Sequence, residues 1–389
     1  MSDDADANAM NPRFSDGEMA RRHAAVSVMM AERGIDALIL YATTSGFAEV
    51  QYLTDFRTAR EAYLVVSPGH EATLFVQYFN HTPFARRRAR IADVRWAGPP
   101  DLSTIIEHLR DRGLSTGRIG LVGALPWQQY VALCAGLPEA TFSNASAQFQ
   151  NLRLIKSAEE LAFLRRGAEL SDLAIEALER EARPGIAEYE LVAIVEAAYL
   201  PLGGHTHIHY MATTPMRNPE VCVPAQIQSD RVLQVGDVLI TEISAQYDGY
   251  PGQILRPFSI GEPPTDVYQR MYDLAARVFD GIASVVRHGA TVEDVLMAAD
   301  AINAAGYTIC DDLLHGFGGG YIPPLVRTRQ TGGTRHPGFV FAENMTIVIQ
   351  PNVITPDERM GVQVGELVRV TKSGVESLHR YPMRFIQCG

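Results

Sequence analysis

Apolar and polar positions recur along this chain with two periods, and the change from one to the other divides it. Residues 16–33 place Met19, Ala20, His23, Val26, Met29 and Met30 on one broad stripe, a helical spacing that Gly34 is positioned to end. Short strand-like runs follow: ALIL at 37–40, AYLVV at 62–66, ATLFV at 72–76 and IGLVG at 119–123, with a helical pattern over 102–112. Strands alternating with helices predict an α/β domain over residues 17–151. Residues 1–16, MSDDADANAMNPRFSD, are polar and acid-rich, and read as a mobile arm ahead of it.

A second domain is expected over 152–389. Ser157 and Glu160 have the spacing of a capping box, in which each side chain satisfies an orphan backbone donor of a helix start. The helix they open carries Leu161, Leu164, Leu170, Ala174 and Leu178 and is stopped by Pro184-Gly185. Further helices are predicted over 189–200, 265–287 and 292–305, mixed with strands in VLITEISA, MTIVIQP and ELVRVT, an α+β pattern.

Composition narrows the partners. The chain has 389 residues with 34 Lys and Arg against 45 Asp and Glu, a formal net charge of −11. Nucleic acid and anionic membranes reward basic faces, so neither is expected. No run approaches the roughly 18 apolar residues of a membrane span. The first residues are the reverse of a secretory signal, and the four scattered cysteines (Cys134, Cys222, Cys310, Cys388) form no CxxC pair, so a cytoplasmic location is expected.

The stretch richest in chemistry is GDVLITEISAQYDGYPGQILRPFSIG, residues 236–261. Alternation over Val238–Ala245 places Val238, Ile240, Glu242 and Ser244 on one face, and a turn at 247–250 leads to a second strand with Gln253 and Arg256. A carboxylate between Ile240 and Ile243 on a buried strand is costly unless paired, ligated or functional. The plain alternative is an edge strand with Glu242 in water.

This hairpin resembles the metal-binding hairpin of the pita-bread family, which includes creatinase, prolidase and aminopeptidase P. VQYLTDFRTAREAYLVV (50–66) is similar to the N-terminal domain of its creatinases and prolidases. LRLIKSAEELAFLRRGA (152–168), LLHGFG (313–318), MTIVIQP (345–351) and GVQVGELVRVTKSG (361–374) follow in family order. The resemblance implies a creatinase N-terminal-like α/β domain and a pita-bread catalytic domain. It also implies two divalent ions on five ligands, two Asp, one His and two Glu. Those positions here are Glu242, Gln253, His315, Gln350 and Gly365. Two amides and a glycine cannot supply the anionic oxygens that two divalent ions need. Slipping the register to Glu366 would turn that carboxylate to the opposite face of its strand. The histidine that precedes the family hairpin is Ala225. No metal and no cofactor are therefore expected, and peptidase chemistry through metal-bound hydroxide is disfavoured.

In these departures the chain is similar to the metal-free members, creatinase and ectoine hydrolase. The implied activity is hydrolysis of a C–N bond (amide, amidine or cyclic amidine) in a small anionic or zwitterionic compound. Glu242 is then the acid/base and His315 its proton partner, with Gln253 and Gln350 orienting the substrate through hydrogen bonds. Arg60 matches a creatinase arginine that reaches the partner subunit's site to hold a substrate carboxylate, so a homodimer is implied. The alternative for Arg60 is a surface ion pair with Glu61 or Asp55. His207 and His209, with His205, alternate on a strand bordering the family's pocket, and Tyr321 follows LLHGFG, so His207, His209 and Tyr321 are candidates to touch substrate. Two other readings stay open: a metal-dependent Xaa-Pro peptidase-like or lyase enzyme with a reduced site, and an inactive ligand-binding protein.

Overall fold

The computed structural model describes residues 13–389, which divide into two compact units at Arg153/Leu154. Residues 1–12 of the expected arm lie outside the described residues. Its last four residues are not an arm: Phe14 is buried under the Arg22 guanidinium, 3.9 Å from its ring centroid, and the Ser15 side chain caps the helix Asp16–Arg33.

The first unit is built on one sheet of six strands, β1 (Ala37–Ala42), β2 (Ala62–Val66), β3 (Thr73–Val76), β4 (Asp93–Trp96), β5 (Arg118–Val122) and β6 (Thr141–Asn144), in the order β4-β3-β2-β1-β5-β6. Its central strands β1 and β2 are apolar and buried on both faces, as strands covered on both sides require, while the edge strands β4 and β6 are polar and more exposed. Leu38, Leu40 and Leu64 pack with Val26 and Met30 of the first helix, while Ile39, Tyr41 and Val65 pack with Ile105 and Leu109 of the helix Ser103–Asp111.

The second unit holds β7 (His205–Pro215), β8 (Asp237–Tyr247), β9 (Tyr250–Leu255), β10 (Phe258–Ile260), β11 (Leu314–Phe317), β12 (Tyr321–Val326) and β13 (Thr346–Ile349). After these come β14 (Asn352–Ile354), β15 (Gly361–Gln363), β16 (Gly365–Val370), β17 (Val375–Ser377) and β18 (Ile386–Cys388). The main sheet runs β12-β11-β13-β16-β9-β8-β10-β18, with β7 also on β8 and β17 on β16; β14 and β15 form a separate ribbon. β8 is thus interior, with neighbours along both edges, so the edge-strand alternative for Glu242 does not hold. Its alternation separates two cores. Leu239, Ile243 and Ala245 pack with the helices Ala158–Glu181 and Glu188–Tyr199, and Val238 and Ile240 with Asp266–Val285 and Val292–Ala304. The Ser157–Glu160 capping box is formed, Ser157 accepting from the Glu160 amide at 3.2 Å and returning its own N–H at 3.0 Å. Among the described residues no helix is long and apolar enough to cross a membrane.

One contact fixes the β8–β9 hairpin against its helix. Ser171 Oγ donates to the Gly252 carbonyl at 2.5 Å and accepts from the Ala245 amide at 2.8 Å, tying helix, β8 and β9 together. This closeness needs glycine on both sides: a Cβ at Gly252 would lie 2.2 Å from Ala168 Cα, and one at Gly167 2.4 Å from the Tyr250 carbonyl. Gly252→Ala is predicted to destabilise the protein by about 1–3 kcal/mol, the usual cost of overpacking. Urea denaturation checks this, and an unchanged midpoint would contradict the contact.

Candidate active site

The five family ligand positions fall on five neighbouring strands or their ends. His315 sits on β11, Gln350 just after β13, Gly365 on β16, Gln253 on β9 and Glu242 on β8. Strand alternation and the pairings Ser244↔Gln253 and Gly365↔Leu255 bring these positions to one face. Glu242, Gln253, His315 and Gln350 are all buried.

Their hydrogen bonds have a direction that chemistry dictates. The Asp312 backbone carbonyl can only accept, so Gln350 turns Nε2 toward it (3.4 Å) and toward Asp311 Oδ2 (3.3 Å). Gln350 Oε1 then needs a donor, and Gln253 Nε2 supplies it at 2.8 Å. The same Nε2 donates to Glu242 Oε1 at 2.9 Å. Two amides therefore bridge two carboxylates, Glu242 and Asp311. Gln363, at the end of β15, adds a long contact from its Nε2 to Asp311 Oδ2 at 3.5 Å.

Electrostatics follow from burial without a cation. Burial first, then the negative charges of Asp311 and Asp312, push the Glu242 pKa up to about 8. Burial and Asp312 raise Asp311 to about 7, and burial raises Asp312. Since Glu242 Oε1 is committed as an acceptor, the proton it keeps at neutral pH sits on Oε2. Burial lowers His315 to about 4, so its ring is neutral. His315 Nδ1 lies 3.2 Å from the Gly316 carbonyl, which can only accept, so Nδ1 carries the hydrogen and the lone pair is on Nε2, with the Gln350 side chain near the ring. The Tyr321 ring packs over His315 with centroids 4.3 Å apart, and Tyr321 is about half exposed. Burial, then Glu242, Asp312 and Asp311, raise its pKa.

These residues do not fit a dimetal centre. The Gln253 and Gln350 amides are engaged with each other and with the carboxylates. A Cβ at Gly365 would lie 2.3 Å from the Ile349 carbonyl, so no side chain has room there. Glu366 faces away, bound by Arg256 at 2.5 Å and by Ser377 Oγ at 2.6 Å. Among the described residues no group of three or more His, Cys, Asp or Glu is placed to hold a metal ion.

Other expected residues separate. The three histidines of β7 do not share a face, because a bulge between Thr206 and Ile208 interrupts the pairing with β8. His209 pairs with Ile243 and turns to the helical side, where its Nε2 lies 2.6 Å from the Tyr199 hydroxyl. It is a core residue, and a contact with substrate is overturned. The bulged His207 instead packs edge-on to Phe317, 5.6 Å between centroids, next to His315 and Tyr321. Tyr210, opposite Glu242 across the strand pair, occupies the place expected for the histidines, and its pKa is raised by partial burial and by Glu242 and Asp311. Arg60, in the first unit, is exposed and has no ion-pair partner among the described residues. Asp55 pairs instead with Arg88, and Glu61 accepts from Tyr63 and Gln129.

Sequence reasoning missed Asp311, Gln363 and Tyr210. Asp311 and Asp312 stand just before LLHGFG and look like a solvated acidic turn. Asn352 makes them part of the site: its Oδ1 accepts from the Cys310 and Asp311 amides (2.9 and 3.1 Å) and its Nδ2 donates to the Asp312 carbonyl at 3.2 Å.

Comparisons with known proteins agree with this architecture. A model of metallopeptidase family M24 matches residues 162–372, and one of the creatinase/prolidase N-terminal domain matches residues 22–155. Creatinase from Bacillus sp. (strain B-0618) is 22% identical over 96% of this chain and 93% of its own. An Xaa-Pro dipeptidase from Pyrococcus furiosus is 23% identical over 90% and 94%. The structure of the Xaa-Pro dipeptidase from Bacillus anthracis matches with a TM-score of 0.79 at 21% identity, covering 95% of this chain and 99% of that one, a likeness that speaks for the fold.

The raised Glu242 pKa predicts a stability signature. The folded state holds this proton up to about pH 8, whereas the unfolded carboxyl releases it near 4.5. Between those values the folded state binds more protons, so the stability tied to Glu242 is present below 4.5 and lost as pH rises toward 8. Glu242→Gln, which cannot ionise, is predicted to gain ~1 kcal/mol or more relative to the parent between pH 5 and 8. Denaturation at both pH values checks this; a gain that does not depend on pH would contradict the assignment.

Proposed function

The chain belongs to metallopeptidase family M24, a family of hydrolases, and from that premise we propose that it is a metal-independent hydrolase of a C–N bond in a small anionic or zwitterionic amide, amidine or cyclic amidine. One observation carries this reading: where the family places acidic metal ligands, Gln253 bridges Glu242 and Gln350 through hydrogen bonds, and Gly365 has no room for a side chain. A buried, protonated Glu242 and a neutral His315 with a free Nε2 lone pair supply an acid and a base without a metal.

In the proposed reaction a water oxygen bonds to the substrate carbon as His315 Nε2 takes one of the water's protons. Glu242 Oε2 gives its proton to the leaving nitrogen, and the C–N bond breaks with its electron pair going to nitrogen. The proton on His315 then returns to Glu242 and resets the site. The low basicity of the buried ring favours passing that proton on rather than storing it. Gln253 and Gln350 hold Glu242 in place, and Tyr321 and His207 shape the wall beside His315. Arg60 of a second copy clamps the substrate carboxylate in a homodimer; its exposure and lack of an ion-pair partner among the described residues support this role.

The test is hydrolysis by purified protein in excess chelator. Amides, amidines and cyclic amidines bearing a carboxylate are assayed for amine or ammonia release, beside Xaa-Pro dipeptides with added Mn²⁺. Turnover of a non-peptide substrate is expected to persist in chelator and to fall at least about 100-fold in Glu242→Ala, the scale of a lost acid/base. Arg60→Ala is expected to raise KM about tenfold or more with little change in kcat, as loss of a charge-assisted contact does. Metal-dependent cleavage of Xaa-Pro dipeptides alone would overturn the reading.

A further inference from the structure

Around the Glu242–Asp311 bridge Gln253 Oε1, Gln363 Oε1, Asp312 Oδ2 and His315 Nε2 are buried with no hydrogen-bond partner among the described residues, as is the Ser244 hydroxyl opposite Gln253. The hydrogen-bond directions established above leave both amide oxygens and the imidazole lone pair as acceptors. An unsatisfied buried acceptor is costly, and four together call for a group rich in N–H donors. Charge makes the same demand. Glu242, Asp311 and Asp312 form no ion pair with any Arg or Lys among the described residues; Arg327 acts on Asp312 only through space while bonding to the Cys310 carbonyl at 2.8 Å. Asp311 and Tyr210 are half-buried, whereas Glu242, Gln253, His315 and Gln350 are buried.

We propose that Asp311, beside Glu242, is a second substrate-contacting carboxylate, and that it selects an amidinium- or guanidinium-type cation over a neutral amide. This rests on the hydrolase reading and narrows its substrate class. A planar amidinium offers several N–H donors in one plane, the pattern that matches carboxylates and amide oxygens together. In the complex the Asp311 carboxylate faces the cation on the same hydrogen-bonded bridge that holds Glu242. The loop that presents Asp311 is anchored by Asn352, so the carboxylate is positioned before any ligand arrives.

Binding of acetamidinium and of acetamide, its neutral counterpart of the same shape, tests this by calorimetric titration of the full chain. The parent protein is expected to bind acetamidinium at least about tenfold more tightly than acetamide, and Asp311→Asn to lose that preference, as removal of one charge-assisted contact predicts. If Asn is not tolerated, as judged by circular dichroism, Asp311→Ser repeats the comparison. Equal affinity for the two probes in the parent, or a preference that survives in the folded Asp311 variant, would overturn the proposal. The readout needs no turnover, so the two readings fail separately. Amidinium preference with Glu242-independent turnover would defeat the hydrolase mechanism alone, and chelator-resistant amide hydrolysis without the preference would defeat Asp311 alone.

Discussion

The organisation of this site depends on one side chain donating twice. Gln253 Nε2 gives one N–H to Glu242 and the other to Gln350, which joins the carboxylate on β8 to the loop carrying Asp311. An acid at the centre of a buried sheet has three means of being tolerated: a cation, a metal, or its own proton held by hydrogen-bonding neighbours. Among the described residues no Arg or Lys is bonded to Glu242, the amides beside it are poor metal ligands, and burial favours its protonated form. The same neighbours that make the carboxyl tolerable keep it in the form that can donate.

The surrounding fold serves that arrangement. Gly167, Gly252 and Ser171 press the helix Ala158–Glu181 onto β8 and β9, which fixes the spacing between Glu242 and Gln253. Arg256, fully buried, binds Glu366 and the Gly365 carbonyl on β16, drawing off the one carboxylate that a shifted register could have offered. The alternation of β8 places Glu242 on one face and Ile243 on the other, so the buried carboxyl and the helix Ala158–Glu181 lie on opposite sides of the strand.

Much of this was legible in the chain itself. The helix over residues 16–33, the capping box at Ser157 and the alternation around Glu242 are local patterns, and each appears where its spacing predicted. What the sequence hid is non-local. The bulge that turns His209 toward Tyr199 and leaves His207 near Phe317 depends on pairing with β8, more than thirty residues later in the chain. Asp311 carries no local signal, because Asn352, which anchors it, lies 41 residues away and is recognisable only once β14 is folded beside that loop. The burial of Phe14 depends on Arg22 and the rest of the first unit, and a polar leading segment concealed it.

The central claim is that hydrogen-bonded amides and a retained proton have replaced metal coordination. Calorimetric titration of the purified, chelator-stripped protein with Mn²⁺ and Co²⁺ tests it most directly. The account predicts no stoichiometric binding at the site, with the same traces from the parent and from Glu242→Ala. Uptake of one or two equivalents that disappears in Glu242→Ala would contradict it.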